Sequence, residues 1–145
     1  MSELLLSMRD LVIEADIDGQ WKPIVNGLSM NLHKGEIVGL IGESGAGKST
    51  FGLAGMGYTK PGCRIISGSI MLEGEELVGA PSSRLREIRG NSVSYVAQSA
   101  AAAFNPAHRL IEQFVESPVQ HGKMRSEEAA RRGRDLYRQL DLPDP

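Results

Sequence analysis

The sequence is poor in cysteine: Cys63 stands alone, which excludes an intrachain disulfide and any cysteine-cluster metal site and fits a reducing compartment. It also lacks a dominant charge. With a formal net charge of -2, bulk electrostatics favour no polyanion partner, so no nucleic acid is expected. Nor is there an apolar run approaching the roughly 18 residues that cross a bilayer. Leu4-Leu5-Leu6 is too short for a signal-peptide core and runs at once into Met8-Arg9-Asp10. Any membrane role is therefore expected to come through a partner. His33, His108 and His121 are scattered, without the i, i+4 spacing of a helical metal site or a neighbouring carboxylate and nucleophile, so zinc chemistry is not expected. No internal repeat is visible, and the one biased tract, Ala100 to Ala103, is too short to count as low complexity.

What is present is a chain of 145 residues, the size of one ordinary domain, with the 41% hydrophobic and 23% charged content of a soluble globular protein. Leu11 to Ala15 reads as a strand, Asp16-Ile17-Asp18-Gly19-Gln20 as a turn, and Leu28, Met30 and Leu32 alternate with polar residues as in a half-buried strand. An antiparallel β-layer is expected there. Lys34-Gly35-Glu36 then turns into Ile37 to Ile41, a continuous apolar run of the kind buried on both faces in a parallel sheet. A short helix is expected from Ser49 to Met56, ended by Lys60-Pro61-Gly62, then a strand from Gly68 to Leu72, a polar helix from Ser82 to Arg89 and a strand from Val93 to Val96. Beyond Pro106, Leu110, Ile111, Phe114 and Val115 keep helical spacing. A last helix opens at Ser126 with Glu127 and Glu128 in its first turn and Gly133, Leu136, Tyr137 and Leu140 on its inner face. The basic run Arg125, Arg131, Arg132 and Arg134 is interleaved with Glu127, Glu128 and Asp135 and reads as a solvated helix face.

The strongest chemical signal is Gly42-Glu43-Ser44-Gly45-Ala46-Gly47-Lys48-Ser49, set between the apolar run and the following helix. It matches G-x-x-x-x-G-K-[ST], in which glycines let backbone N–H groups wrap around phosphate oxygens. Lys48 supplies a point charge toward the β and γ phosphates, the Ser49 hydroxyl can reach Mg²⁺, and the positive end of the helix faces the anion. A nucleoside triphosphate, ATP with Mg²⁺, is the expected ligand. A small-molecule kinase or a GTPase is the competing phosphate-loop reading, and the Asn-Lys-x-Asp motif of GTPases is absent.

With Lys34 to Ile41 leading into Gly42 to Thr50, and Val93-Ser94-Tyr95-Val96-Ala97-Gln98 followed by Phe104-Asn105-Pro106, the chain resembles the ATP-binding subunit of ABC transporters in the dipeptide, oligopeptide and nickel importer branch. The resemblance implies an α/β phosphate-loop NTPase fold, with an N-terminal antiparallel β-layer, part of a parallel core sheet (together residues 1–105) and the start of a helical subdomain at 106–145. It implies that Gly42, Glu43, Ser44, Gly45, Ala46, Gly47, Lys48, Ser49 and Thr50 hold the nucleotide. It further implies that Gln98 reaches Mg²⁺ and the attacking water, and that the segment after Gln98 meets a membrane-spanning permease. A glutamine leaving a strand end in an α/β sheet stands on the ligand-binding edge, which agrees. Trp21, the single tryptophan, is the residue that the resemblance sets against adenine, and a half-buried core tryptophan is the other reading of it.

The family's Leu-Ser-Gly-Gly-Gln signature, its hydrophobic strand ending in Asp-Glu and its later switch histidine do not occur in these residues. Leu136 to Pro145 resembles the stretch that precedes the signature, so the chain reads as the N-terminal part of a longer protein. The expected function is that of an ABC-type ATPase on the cytoplasmic face of the membrane. It would be paired with permease subunits and a second ATP-binding subunit, and would couple ATP hydrolysis to import of peptides or similar small solutes. Turnover by these residues alone is expected to be negligible. The alternative is a non-hydrolysing nucleotide-binding or docking module.

Overall fold

Two turns with the same chemistry organise the first half of the chain in the computed structural model, which describes residues 3–99 and 103–141. Strand β1 (Leu4–Ile17) and strand β2 (Gln20–His33) are joined by Asp18-Gly19, both at positive φ (55° and 77°), as a two-residue turn matched to strand twist requires. Glu73-Gly74, at φ 49° and 85°, likewise joins β3 (Cys63–Leu72) to the short β4 (Glu75–Glu76). The four strands form one antiparallel sheet in the order β2-β1-β3-β4. The expected antiparallel layer is present, and its strands are longer than the alternation alone marks.

The extra length comes from a bulge that takes up the polar pair Arg9-Asp10. Pairing slips between Met8 and Leu11, Asp10 lies at φ 46°, and its N–H donates to Ser29 Oγ at 2.8 Å. Gly68 faces this kink at φ 96°; a Cβ there would stand 2.5 Å from the Arg9 carbonyl oxygen and 2.7 Å from that of Asp10. Only glycine accommodates both the left-handed backbone and the close approach.

Helix α1 (Lys48–Ala54) lays Phe51, Leu53 and Ala54 into the core of this unit, which Met8, Leu11, Ile13, Val25, Ile70, Leu77 and Ile88 complete. Helix α2 (Ser82–Ile88) follows β4. Arg89 closes the far end of α1. Its Nε donates to the Met56 carbonyl at 3.1 Å, its Nη2 donates to that of Gly57, and its guanidinium lies 5.4 Å from the Tyr58 ring centroid. Carbonyls left without helical partners are thereby satisfied.

The two expected core strands are corrected. Ile37 to Ile41 belongs to no ladder among the described residues, and Ile37 and Ile41 are 97% and 98% exposed. Val93 makes only an isolated bridge, and Val96 is 91% exposed. Apolar content makes a segment suited to a sheet interior, but a strand also needs neighbours to pair its N–H and C=O groups. Neither segment has a ladder partner among the described residues.

The chain divides into two compact units between Arg89 and Gly90. In the second, α3 (Leu110–Gln120) packs on α4 (Ser126–Gln139) through Gly133, where a Cβ would stand 2.8 Å from the Phe114 ring. Phe114 and Tyr137 meet edge to face at 6.2 Å and 63°. The expected inner face of α4 is amended: Ala129 and Gly133 are its buried residues, while Leu140, at the helix end, is 68% exposed. The arginines of the basic run are exposed, as expected of a solvated face. The alanines at 100–102 and the closing segment 142–145 lie outside the described residues.

Candidate phosphate-binding site

The glycine-rich loop begins where β2 ends. At His33 the chain reverses through Lys34-Gly35, with Gly35 at φ 77°, and the Glu36 N–H donates to the His33 carbonyl at 3.0 Å. The Glu36 carboxylate returns the contact, accepting from the His33 N–H at 2.7 Å and facing His33 Nδ1 at 3.1 Å. These hydrogen bonds, the backbone one foremost, hold the Glu36 carboxyl below its ordinary value. After the irregular run 37–43, the Ala46 N–H donates to the Glu43 carbonyl at 3.2 Å, and the first helical bond runs from the Phe51 N–H to the Gly47 carbonyl at 2.8 Å.

Gly42, Gly45 and Gly47 adopt φ of 155°, 83° and 77°, so the glycines stand where the backbone wrap needs positive φ. Gly47 is constrained twice, because a Cβ on it would overlap the Ile24 carbonyl oxygen and press on Val25 Cγ2 at 3.1 Å. The loop thus rests directly on the backbone of β2. Lys48 Nζ donates to the carbonyls of Gly42, at 2.7 Å, and Glu43, which holds the ammonium inside the curve of its own loop.

Ser44, Gly45, Ala46, Gly47, Lys48, Ser49 and Thr50 line one cleft of about 380 Å³, together with Ile24 and Lys60. Seven of the predicted nucleotide-binding residues are therefore brought to one surface. Gly42 and Glu43 serve as acceptors for Lys48. The charged lining is Lys48 and Lys60, without a carboxylate, and the hydroxyl-bearing Ser49 and Thr50 share it. This donor set suits a polyphosphate, and a hydroxyl in the lining suits Mg²⁺, which takes few protein ligands and shares phosphate oxygens. No cluster of three or more His, Cys, Asp or Glu side chains able to hold a metal occurs among the described residues.

Trp21, also on β2, is not among the residues that line this cleft. It pairs with Asp16, and the Arg64 guanidinium lies over its ring at 3.9 Å from the centroid. Glu14, which pairs with Pro23 and Arg64, follows the fully buried Ile13, so alternation sets Trp21, Glu14 and Arg64 on the sheet face opposite Ile13 and Val25. Gly47 approaches the strand at Ile24 and Val25. Gln98 belongs to the second unit, where it is exposed on irregular backbone. Lys60 was missed by the motif reading: in the sequence it marks only a helix break, and no spacing rule ties it to the loop.

An antiparallel β-layer with a glycine-rich loop running into α1 defines a phosphate-loop NTPase of the α/β class. Comparison with known proteins narrows this. The ABC transporter family profile matches residues 25–144, and the chain belongs to that family. It is 31% identical over 144 residues to the oligopeptide transport ATP-binding protein OppD of Lactococcus lactis subsp. lactis (strain IL1403), covering 99% of this chain and 43% of that protein. It is 37% identical over 119 residues to the oligopeptide transport ATP-binding protein AppD of Bacillus subtilis (strain 168), covering 81% and 36% respectively. A third relative, the peptidoglycan transport ATP-binding protein YejF of Agrobacterium fabrum (strain C58 / ATCC 33970), is 33% identical over 144 residues, 97% of this chain and 26% of the relative. The chain thus spans less than half the length of these relatives.

Proposed function

We propose that this chain binds ATP with Mg²⁺ through its phosphate loop and forms part of the ATP-binding subunit of an importer for peptides or similar small solutes. The observation that carries the ligand is the cleft itself, with its positive-φ glycines, Lys48 held on the Gly42 and Glu43 carbonyls, and no carboxylate in the lining. The substrate class rests on the relatives, two of which are named for oligopeptide transport.

In this reading the backbone N–H groups of Gly45 to Ser49 wrap the phosphate chain, and the Lys48 ammonium turns from its carbonyl acceptors toward the β and γ oxygens. Ser49 would offer its hydroxyl to Mg²⁺, whose chemistry there would be to neutralise phosphate charge; the role proposed for Gln98, orienting water for attack, rests on the family resemblance alone. Trp21 is left out of the nucleotide contacts because its ring is engaged by Arg64 on the sheet face that Gly47 does not approach. Permease subunits and a second ATP-binding subunit are the partners that the family implies. No helix of the described residues is long and apolar enough to cross a membrane, so attachment to a membrane is proposed to run through those permeases.

The test is calorimetric titration of the chain with ATP and Mg²⁺ beside Lys48→Ala. Removal of the loop's ammonium is expected to weaken affinity at least about tenfold, the loss of one charge-assisted contact. Equal affinity of the two proteins refutes the phosphate-loop assignment.

A further inference from the structure

Lys60 lies ten or more residues beyond the loop in sequence and lines the same cleft as Ser44 to Thr50. Its backbone is fixed by a tight turn. Pro61 and Gly62, with Gly62 at φ 76°, occupy the central positions, and the Cys63 N–H closes the turn on the Lys60 carbonyl at 2.9 Å. The turn is in turn tied to β1, because the Asp16 N–H donates to the Gly62 carbonyl at 2.8 Å. Lys60 is therefore delivered to the cleft by the sheet, independently of the loop that carries Lys48.

Its charge is not spent elsewhere. Among the described residues Lys60 takes part in no ion pair, whereas Lys34, Arg64, Arg84 and Arg138 each have a carboxylate within 3.2 Å. The lining it joins holds Lys48 as the one other charge and no acid. Two like charges on one small concave surface repel each other, and an anion between them relieves the repulsion.

We infer that Lys60 is a second phosphate-facing cation, acting with Lys48 on the phosphate chain of a nucleoside triphosphate. The inference rests on the phosphate-loop reading above. Because Lys60 is exposed and packs into no core, its contribution is electrostatic and is screened by salt.

The experiment titrates the full chain and its Lys60→Ala, Lys60→Arg and Lys60→Glu variants with ATP and, separately, with inorganic tripolyphosphate, at low and high salt. Circular dichroism confirms that each variant is folded. Lys60→Ala is expected to weaken both ligands by roughly three- to tenfold at low salt, Lys60→Glu more, and Lys60→Arg little, with the differences shrinking as salt rises. Equal ATP affinity for the unchanged chain and Lys60→Ala overturns the inference and leaves the phosphate loop standing. A loss confined to ATP, with tripolyphosphate unaffected, overturns it by moving Lys60 to the base or ribose. Failure of the unchanged chain to bind either ligand overturns the phosphate-loop reading and this inference together.

Discussion

Arg64 lies over Trp21, its guanidinium carbon 3.9 Å from the ring centroid, while its Nε and Nη2 donate to Glu14 Oε2 at 3.0 and 2.8 Å. Three strands thus supply one stacked unit: the ring from β2, the carboxylate from β1 and the cation from β3. Since Trp21 is the single tryptophan, its emission reports on this unit alone. Arg64→Ala is expected to shift that emission and to cost about 0.5–1 kcal/mol of stability, the worth of an exposed cation–π contact. Unchanged emission would show that the stack does not persist in solution.

The same fluorophore bears on the nucleotide. ATP and tripolyphosphate are expected to leave Trp21 emission equally unperturbed, because Arg64 covers one ring face and the ring lies out of phase with Val25, which Gly47 approaches. A change produced by ATP and not by tripolyphosphate would instead place the adenine on Trp21.

Gly47→Ala tests how closely the loop rests on β2. The new methyl meets the Ile24 carbonyl oxygen and sits at φ 77°, so both sterics and backbone strain oppose it. A stability loss of about 1–3 kcal/mol is expected by chemical denaturation, with nucleotide affinity falling as well. Gly45→Ala is the control: it has open space around its Cβ position, and its cost is expected to come from its φ of 83° alone.

Phe51→Ala removes a side chain that is 1% exposed, from the helix that carries Lys48 and Ser49. The expected loss is about 3–5 kcal/mol. A loss below about 1 kcal/mol would mean that α1 does not depend on the sheet for its stability.

Acid should loosen the turn that leads into the loop. The Glu36 carboxyl is held below its ordinary value by the His33 N–H and ring, so its stabilising contribution is complete above the unfolded carboxylate pKa. That contribution is lost as pH falls through the lower, folded value. Amide exchange at His33 is expected to accelerate, relative to its intrinsic rate, over that acidic interval in the native protein. In Glu36→Gln the step should vanish.

In the second unit Gln113 spans the segment that follows Gln98. Its Nε2 donates to the Asn105 carbonyl at 3.0 Å and the His108 carbonyl at 3.1 Å, and its Oε1 accepts from the Asn105 N–H at 2.8 Å. Gln113→Ala is expected to raise hydrogen exchange across Asn105 to His108 while leaving α4 protected. Protection unchanged at Asn105 would assign the order of that segment to its own Asx turn, in which Asn105 Oδ1 accepts from the Ala107 N–H at 3.0 Å.

Much of this was legible without coordinates, for a physical reason. The eight residues Gly42 to Ser49, the Asp18-Gly19 turn and the acidic first turn of α4 each act within a few bonds of one another, so their conformation follows from local sterics and charge. Non-local pairing decided the rest. Ile37 to Ile41 has the composition of a buried strand and stands exposed, because strand identity depends on neighbours that composition does not name. Arg64 reaches Trp21 through the register of β3 on β1, and Lys60 reaches the phosphate loop through a turn anchored to Asp16. The chain by itself determined the chemistry of the loop; only the sheet decided which distant cation stands beside it, because pairing across 40 or more residues carries no local signature.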